Sequence, residues 1–153
     1  MRAVPRQRLD LRVIAIEKRL RPLGDVHVSD EGRDKSRRRV QFHVGSPGYG
    51  MPVEAVFEYT EWYERTTQGW RLTEYAYEYR PGPPPDRLAH HLHEPFGAHR
   101  HCVDARNTGQ PDHYVDYPVV LEQAHEEFAA LAAQRRPVSC AGLRPLRERA
   151  PPV

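Results

Sequence analysis

The chain has 153 residues, a formal net charge of +2 and a mean hydropathy of −0.79. This length suits one domain, and an aromatic content of 9% excludes a wholly disordered chain. No run of 18 apolar residues is present, and the charged N-terminus lacks the apolar core of a secretion signal. Two cysteines do not form a disulfide framework. We therefore expect a reduced, cytoplasmic protein that does not contact a membrane.

The basic residues are concentrated at the start of the chain. Residues 1–40 carry twelve Lys and Arg against six Asp and Glu, whereas the remainder carries eleven against fifteen. A basic front end on a near-neutral body is typical of contact with nucleic acid or with an acidic partner, and equally of a solvated surface. The segment "RDKSRRR" (33–39) has the same two interpretations, a phosphate-binding loop or a soluble turn.

The first third of the chain predicts a helix followed by short strands. Apolar residues recur every three to four positions over 5–21, which indicates an amphipathic helix. The segment 26–28 predicts a short strand, and the polar stretch 29–36 predicts a turn. β-branched and aromatic residues over 38–44 predict another strand, followed by a glycine-rich loop at 45–50.

The centre of the chain predicts a long antiparallel hairpin. Apolar and polar residues alternate over 53–65 and again over 69–80, and "TTQG" between them has hairpin length. Tyr75, Tyr77 and Tyr79 share one face of the second strand. This stripe is typical of packing between strands and, alternatively, of a stacking platform for bases.

The second half predicts two further strands and a helix. Strands are expected over 87–94 and 98–104, and an amphipathic helix over 118–136. The fold expected is therefore α+β: one domain over 1–136, in which an N-terminal and a C-terminal helix cover an antiparallel sheet of four to six strands. The tail 137–153, rich in Pro and Arg, is expected to be flexible.

The stretch "AHHLHEPFGAHRHC" (89–102) holds five of the nine histidines and one cysteine. Side chains repeat every two residues on a strand, so His91 and His93 share a face, as do His99 and His101. Two such pairs joined by a turn can converge on a metal ion, although the spacing matches no standard zinc motif. The candidate ligands for Zn or another divalent transition metal are His91, His93, His99, His101 and Cys102, with His113 as a further donor.

A second interpretation is acid–base chemistry without a metal. Imidazoles titrate near neutral pH, so His99 and His101 can supply the base and the acid that cleave RNA through its own 2′-hydroxyl. His91 and His93 are alternative proton carriers. The candidates for binding the substrate phosphate are Arg87, Arg100, His113 and Tyr114, although strand alternation directs Arg100 to the opposite face. A third interpretation is an exposed strand edge without chemistry.

The order of these features resembles a known family. A long aromatic hairpin, then "HHLHEPFGAHRHC", then "HYVDYPVVLEQAHEEFAAL" is similar to the TumE-like toxins of bacterial toxin–antitoxin modules, over residues 50–133. The matching parts are the H-x-H of His99 and His101 and the helix 119–131 with Glu122 and Phe128. The sequence "PDRLAHHL" departs from the Tyr/Trp-Asp-Asn stretch of the family.

The resemblance implies a small toxin that acts on RNA and is neutralised by an antitoxin protein. Our leading hypothesis is a cytoplasmic toxin-like protein, with metal-independent ribonuclease activity by His99 and His101 as the candidate reaction. The alternative is a non-catalytic metal-binding or protein-interaction domain that uses the histidines as ligands.

Overall fold

A computed structural model describes residues 3, 5–34, 36–48, 50–82, 84–108 and 112–146. These described residues form one seven-stranded antiparallel sheet and two α-helices. The elements in chain order are α1 (Arg6–Leu20), a 3₁₀ turn (Arg21–Leu23), β1 (Gly24–Asp34), β2 (Arg37–Pro47), β3 (Val56–Thr66), β4 (Gly69–Arg80), β5 (Arg87–His93), β6 (Gly97–Val103), β7 (His113–Val115) and α2 (Leu121–Ala133).

The predicted α+β fold with two covering helices is confirmed, and the sheet has seven strands instead of four to six. The strands follow one another as a meander, so each pairs with its neighbour in sequence. The predicted turn over 29–36 is wrong for most of its length, because β1 continues through it and pairs with β2. β7 lies in a segment rich in turn residues, where periodicity is too short to reveal a three-residue strand.

The predicted central hairpin is confirmed as β3 and β4. Its register shifts by one residue where Trp62 pairs with Glu74 and Tyr63 with Leu72, which leaves Thr73 as the extra residue of a bulge. Beyond the bulge, Tyr75, Tyr77 and Tyr79 are almost fully buried.

Both helices pack on the same face of the sheet, and the core lies between them and the strands. Phe128 of α2 stacks on Tyr79 with ring centroids 5.5 Å apart, and Tyr75 stacks on Tyr77 at 4.4 Å. The tyrosine stripe is therefore a packing feature, because burial beneath the helices leaves no ring face for a base. The opposite, helix-free face is called the open face below.

The segment 138–146, called the C-terminal segment, packs on the domain instead of forming the expected flexible tail. Val138 is buried, and Cys140 forms a disulfide with Cys102, with their Cα atoms 5.8 Å apart. The expectation of reduced cysteines is therefore wrong for this structure. The tail residues 147–153 lie outside the described residues. No helix in the described part of the chain is long and apolar enough to cross a membrane.

Candidate metal centre

Five histidines meet on the open face of the sheet, where β5, β6 and β7 lie side by side. Antiparallel pairing sets His91 opposite His99 and His101 opposite His113. Because side chains of a strand alternate between its two faces, His93 lies on the same face as His91. The members of this histidine cluster are His91, His93, His99, His101 and His113.

The rings of the cluster are in contact with one another. The ring centroids of His101 lie 4.4 Å from His91 and 4.3 Å from His113, and those of His93 and His99 lie 4.7 Å apart. His99 has no exposed surface although it lies on the open face, because its neighbours cover it. Phe96, from the turn between β5 and β6, also packs edge-on against its ring.

The rings of His99 and His101 each donate one N–H to a fixed acceptor. His99 Nδ1 donates to the carbonyl oxygen of Gly97 at 3.0 Å. His101 Nδ1 donates to Asp112 Oδ2 at 3.2 Å, and His113 Nδ1 lies 3.1 Å from Asp112 Oδ1. One carboxylate thus orients two rings, and because Nδ1 carries the hydrogen, Nε2 carries the lone pair.

The two β5 rings are held in the same manner. His91 Nε2 donates to Glu78 Oε1 at 3.0 Å, and His93 Nδ1 donates to the carbonyl oxygen of Glu94 at 2.9 Å. Glu78 also accepts from Arg87 at 2.6 Å. Burial raises the pKa of Glu78, but hydrogen bonds from His91 and Arg87 outweigh it and bring this pKa to about 2. Glu78 is therefore a permanent anion behind the cluster.

The lone pairs of His99 and His101 point at each other. Their Nε2 atoms are 3.1 Å apart. Burial lowers the pKa of both rings, that of His101 to about 4 despite its bond to Asp112. Both rings are therefore neutral at neutral pH, and both carry their single hydrogen on Nδ1. No hydrogen is left to lie between the two Nε2 atoms.

Two overlapping sets of three rings have the spacing of metal ligands. The first set is His91, His93 and His99, and the second is His99, His101 and His113. Within each set, one ring nitrogen from every residue lies within 4.8 Å of the others. Tetrahedral zinc with bonds of about 2.0–2.1 Å sets its nitrogens roughly 3.3 Å apart, close to the contact between His99 and His101.

No family model matches the chain, and neither the curated proteins nor the solved structures contain a match. The likeness to TumE-like toxins accordingly stays a prediction from sequence.

Several predicted site residues lie away from the cluster. Arg100 lies on the helix-covered face, with its guanidinium 3.9 Å from Asp116 and 3.6 Å from Glu127. Tyr114 is buried on that same face and accepts a hydrogen bond from Asn107. Neither side chain reaches a substrate held at the histidines, because strand alternation separates them.

Two further predictions need correction or refinement. Cys102 is not available as a ligand, since it is bonded to Cys140 and its side chain faces the helices. Arg87 does lie on the open face, but Glu78 and Asp112 already neutralise it at 2.6 and 3.5 Å. His113 joins the cluster as the sequence suggested.

Sequence reasoning missed the carboxylates that orient the rings. Asp112 and Glu78 are distant in sequence from the histidines they hold, and only strand register brings them together. His90 was also missed. Its two ring nitrogens lie 2.6 Å from Asp116 and 3.2 Å from Glu127.

His90 has a structural role on the helix-covered face. Burial lowers its pKa, but Asp116 and Glu127 outweigh this effect, so the pKa lies above its ordinary value. The His90 ring also stacks on Phe128 of α2, with ring centroids 5.8 Å apart. Through Glu127 and Phe128, His90 holds α2 against the face of the sheet opposite the histidine cluster.

Proposed function

We propose that this protein binds a divalent transition metal ion, such as Zn²⁺, through the histidine cluster. The observation that carries the proposal is the contact between Nε2 of His99 and Nε2 of His101 at 3.1 Å, with both Nδ1 atoms already donating. Two lone pairs that face each other repel. A cation between them converts this repulsion into two coordination bonds.

The surroundings of the rings support the same function. Histidines that bind metals donate their second ring nitrogen to a carboxylate or a backbone carbonyl, which orients the ring. Four rings of the cluster have such an acceptor, and the fifth, His113, has Nδ1 3.1 Å from the Asp112 carboxylate. A donor set made only of imidazoles suits Zn²⁺, Ni²⁺ and Cu²⁺.

The cluster holds one ion at a time. Both ligand sets use His99, and its Nδ1 is committed to the Gly97 carbonyl, so only Nε2 remains for a metal. An ion bound by one set therefore prevents the other set from being complete. We expect a stoichiometry of one ion per chain.

Metal analysis of protein purified without a histidine tag tests the proposal. We expect one Zn²⁺ per chain after equilibration and removal of excess metal. The variant His99→Ala should lose this ion, because it removes a ligand from both sets. The matched control is His27→Ala, which removes an exposed histidine on β1 at the other end of the sheet. Wild-type protein that takes up no Zn²⁺ would refute the proposal.

The ribonuclease hypothesis also stays a prediction, together with an antitoxin partner and RNA as substrate. In-line cleavage needs a base and an acid on opposite sides of the phosphorus, and two nitrogens in contact cannot occupy those positions. A more distant pair from the cluster would be required. RNA that remains intact with excess wild-type protein in EDTA at neutral pH counts against this activity.

A cytoplasmic location is likewise a prediction. The Cys102–Cys140 disulfide is of a kind more usual in oxidising compartments. Fractionation of the producing cells, with thiols blocked at lysis and then titrated, tests it. A fully reduced pair would be consistent with that location.

A further inference from the structure

The C-terminal segment completes the sheet beside β7. Val115 N donates to Arg144 O at 2.8 Å, and Leu146 N donates to His113 O at 3.0 Å, on either side of a bridge between Tyr114 and Pro145. β7 has only three residues, and it pairs with β6 along its other edge. This short strand therefore depends on the C-terminal segment for the backbone hydrogen bonds along one of its two edges.

A disulfide bonds the C-terminal segment to β6. Cys102 follows His101 directly on β6. Its partner Cys140 lies in the C-terminal segment, a few residues before those that pair with β7. The Cys140 amide also donates to Asp104 Oδ2 at 2.8 Å. The disulfide thus joins β6, which carries His99 and His101, to the segment that supports β7.

The position of β7 matters for one ligand set only, that of His99, His101 and His113. β7 carries His113, and Asp112, just before it, orients both His101 and His113. The backbone of Asp112 is held too, since its carbonyl accepts from Cys102 N at 3.0 Å. The other set draws its ligands from β5 and β6, which pair with each other over seven residues.

We infer that the Cys102–Cys140 disulfide is a redox switch that sets the metal affinity of the His99, His101 and His113 set. This inference rests on the proposed metal site. A dithiol reductant transfers two electrons and two protons to the disulfide, which yields two cysteine thiols while the dithiol becomes a disulfide. The freed segment then releases the edge of β7, and His113 and Asp112 lose their fixed positions.

The new thiols do not replace the lost ligand. The side chain of Cys102 is fully buried on the helix-covered face, opposite to His101, because adjacent residues of a strand point to opposite sides. Reduction therefore weakens the support of His113 and supplies no new metal ligand. The direction of the effect is a fall in affinity.

The test measures Zn²⁺ affinity by competition with a chelating indicator in two backgrounds. His93→Ala leaves only the set that includes β7, and His113→Ala leaves only the set that does not. Replacing both cysteines, Cys102→Ser with Cys140→Ser, mimics the reduced state. We expect a fall of about tenfold or more in the His93→Ala background, the size typical of losing a support of a metal ligand, and little change in the His113→Ala background.

The outcomes separate the two proposals. Wild-type protein that binds no Zn²⁺ refutes the metal site itself. Equal affinity with and without the disulfide in the His93→Ala background refutes only the switch. An equal fall in both backgrounds also refutes it, since that result reports general loosening of the fold.

A second measurement keeps the switch testable if the serine protein does not fold. The His93→Ala and His113→Ala proteins are folded with the Cys102–Cys140 disulfide formed, and Zn²⁺ affinity is measured before and after its reduction by a phosphine, which becomes the phosphine oxide. We expect a fall in Zn²⁺ affinity on reduction that is confined to the His93→Ala background. Unchanged affinity in that background would overturn the inference.

Discussion

At the scale of single residues, the candidate metal site depends on the burial of His99 on the open face. A ring with no exposed surface must have both nitrogens satisfied, because an unpaired buried polar group costs about 1–3 kcal/mol. Gly97 satisfies Nδ1. Among the described residues, the group in hydrogen-bonding distance of Nε2 is the Nε2 of His101, whose hydrogen is on Nδ1. The residue is satisfied when a cation completes the contact.

Asp112→Asn is expected to weaken Zn²⁺ binding by about 10–100-fold, the usual cost of removing an orienting carboxylate. The carboxylate accepts from His101 with one oxygen, and its other oxygen lies 3.1 Å from His113 Nδ1, whereas an amide offers one acceptor and turns a donor toward one of the two rings. Competition titration measures the affinity. The matched control is Glu94→Gln, which removes an exposed carboxylate at the β5–β6 turn. Equal weakening in both variants would point to net charge instead of orientation.

The sequence predicted the candidate ligands better than the groups that orient them. Period-two alternation is enough to set His91 with His93 and His99 with His101, and hairpin pairing brings the two couples together. The orienting carboxylates depend on register across three strands. Asp112 precedes a strand too short for any periodic pattern, so nothing local marked it as a support for His101.

At the scale of elements, regular alternation decided which strands were predictable. The β3–β4 hairpin has long alternating strands and a short turn, and it lies where the pattern indicated. β7 and the C-terminal segment are held by pairing with each other and by the disulfide instead. Such an element has little local preference of its own, and its sequence therefore resembles a loop.

Asp104→Asn is expected to destabilise the fold at neutral pH and to do so less in acid. The carboxylate accepts from the amides of Cys140, Arg106 and Asn107, first among them Cys140, and these bonds lower its pKa below the ordinary 3.8. A lowered folded-state pKa stabilises the protein fully above 3.8, and this contribution disappears as the pH falls through the folded value. The variant should therefore approach the wild type at low pH.

Urea unfolding at pH 7, 5 and 3 measures this difference in the free energy of unfolding. Asp25→Asn is the control, because it removes an exposed aspartate at the start of β1, at the opposite edge of the sheet. It should cost little at any of the three pH values. A deficit of Asp104→Asn that is the same at pH 3 as at pH 7 would contradict the assigned role of the carboxylate.

At the scale of the whole molecule, one buried carboxylate joins both helices to the sheet. Glu61 is almost fully buried and accepts from Arg12 of α1 at 2.8 Å and from Tyr77 of β4 at 2.9 Å, and also from Tyr63. The same Arg12 reaches Glu122 of α2 at 2.7 Å. The layer on the helix-covered face is thus held by charge as well as by apolar packing. Alternation along β3 places Glu61 on the same face as Tyr59 and Tyr63, but no local pattern indicated that Arg12 pairs with it.

Arg12→Ala should lower the free energy of unfolding by about 3 kcal/mol, because it leaves Glu61 charged and unpaired in the interior. That value is at the lower end for a buried pair, since the Arg12 side chain is 32% exposed. Adding Glu61→Gln to Arg12→Ala should recover part of the loss, with a coupling of roughly 1–3 kcal/mol measured by urea unfolding. Arg19→Ala is the matched control: it breaks an exposed pair with Glu126 between the same two helices and should cost under about 1 kcal/mol. Equal losses for Arg12→Ala and Arg19→Ala would show that the buried carboxylate does not organise the layer.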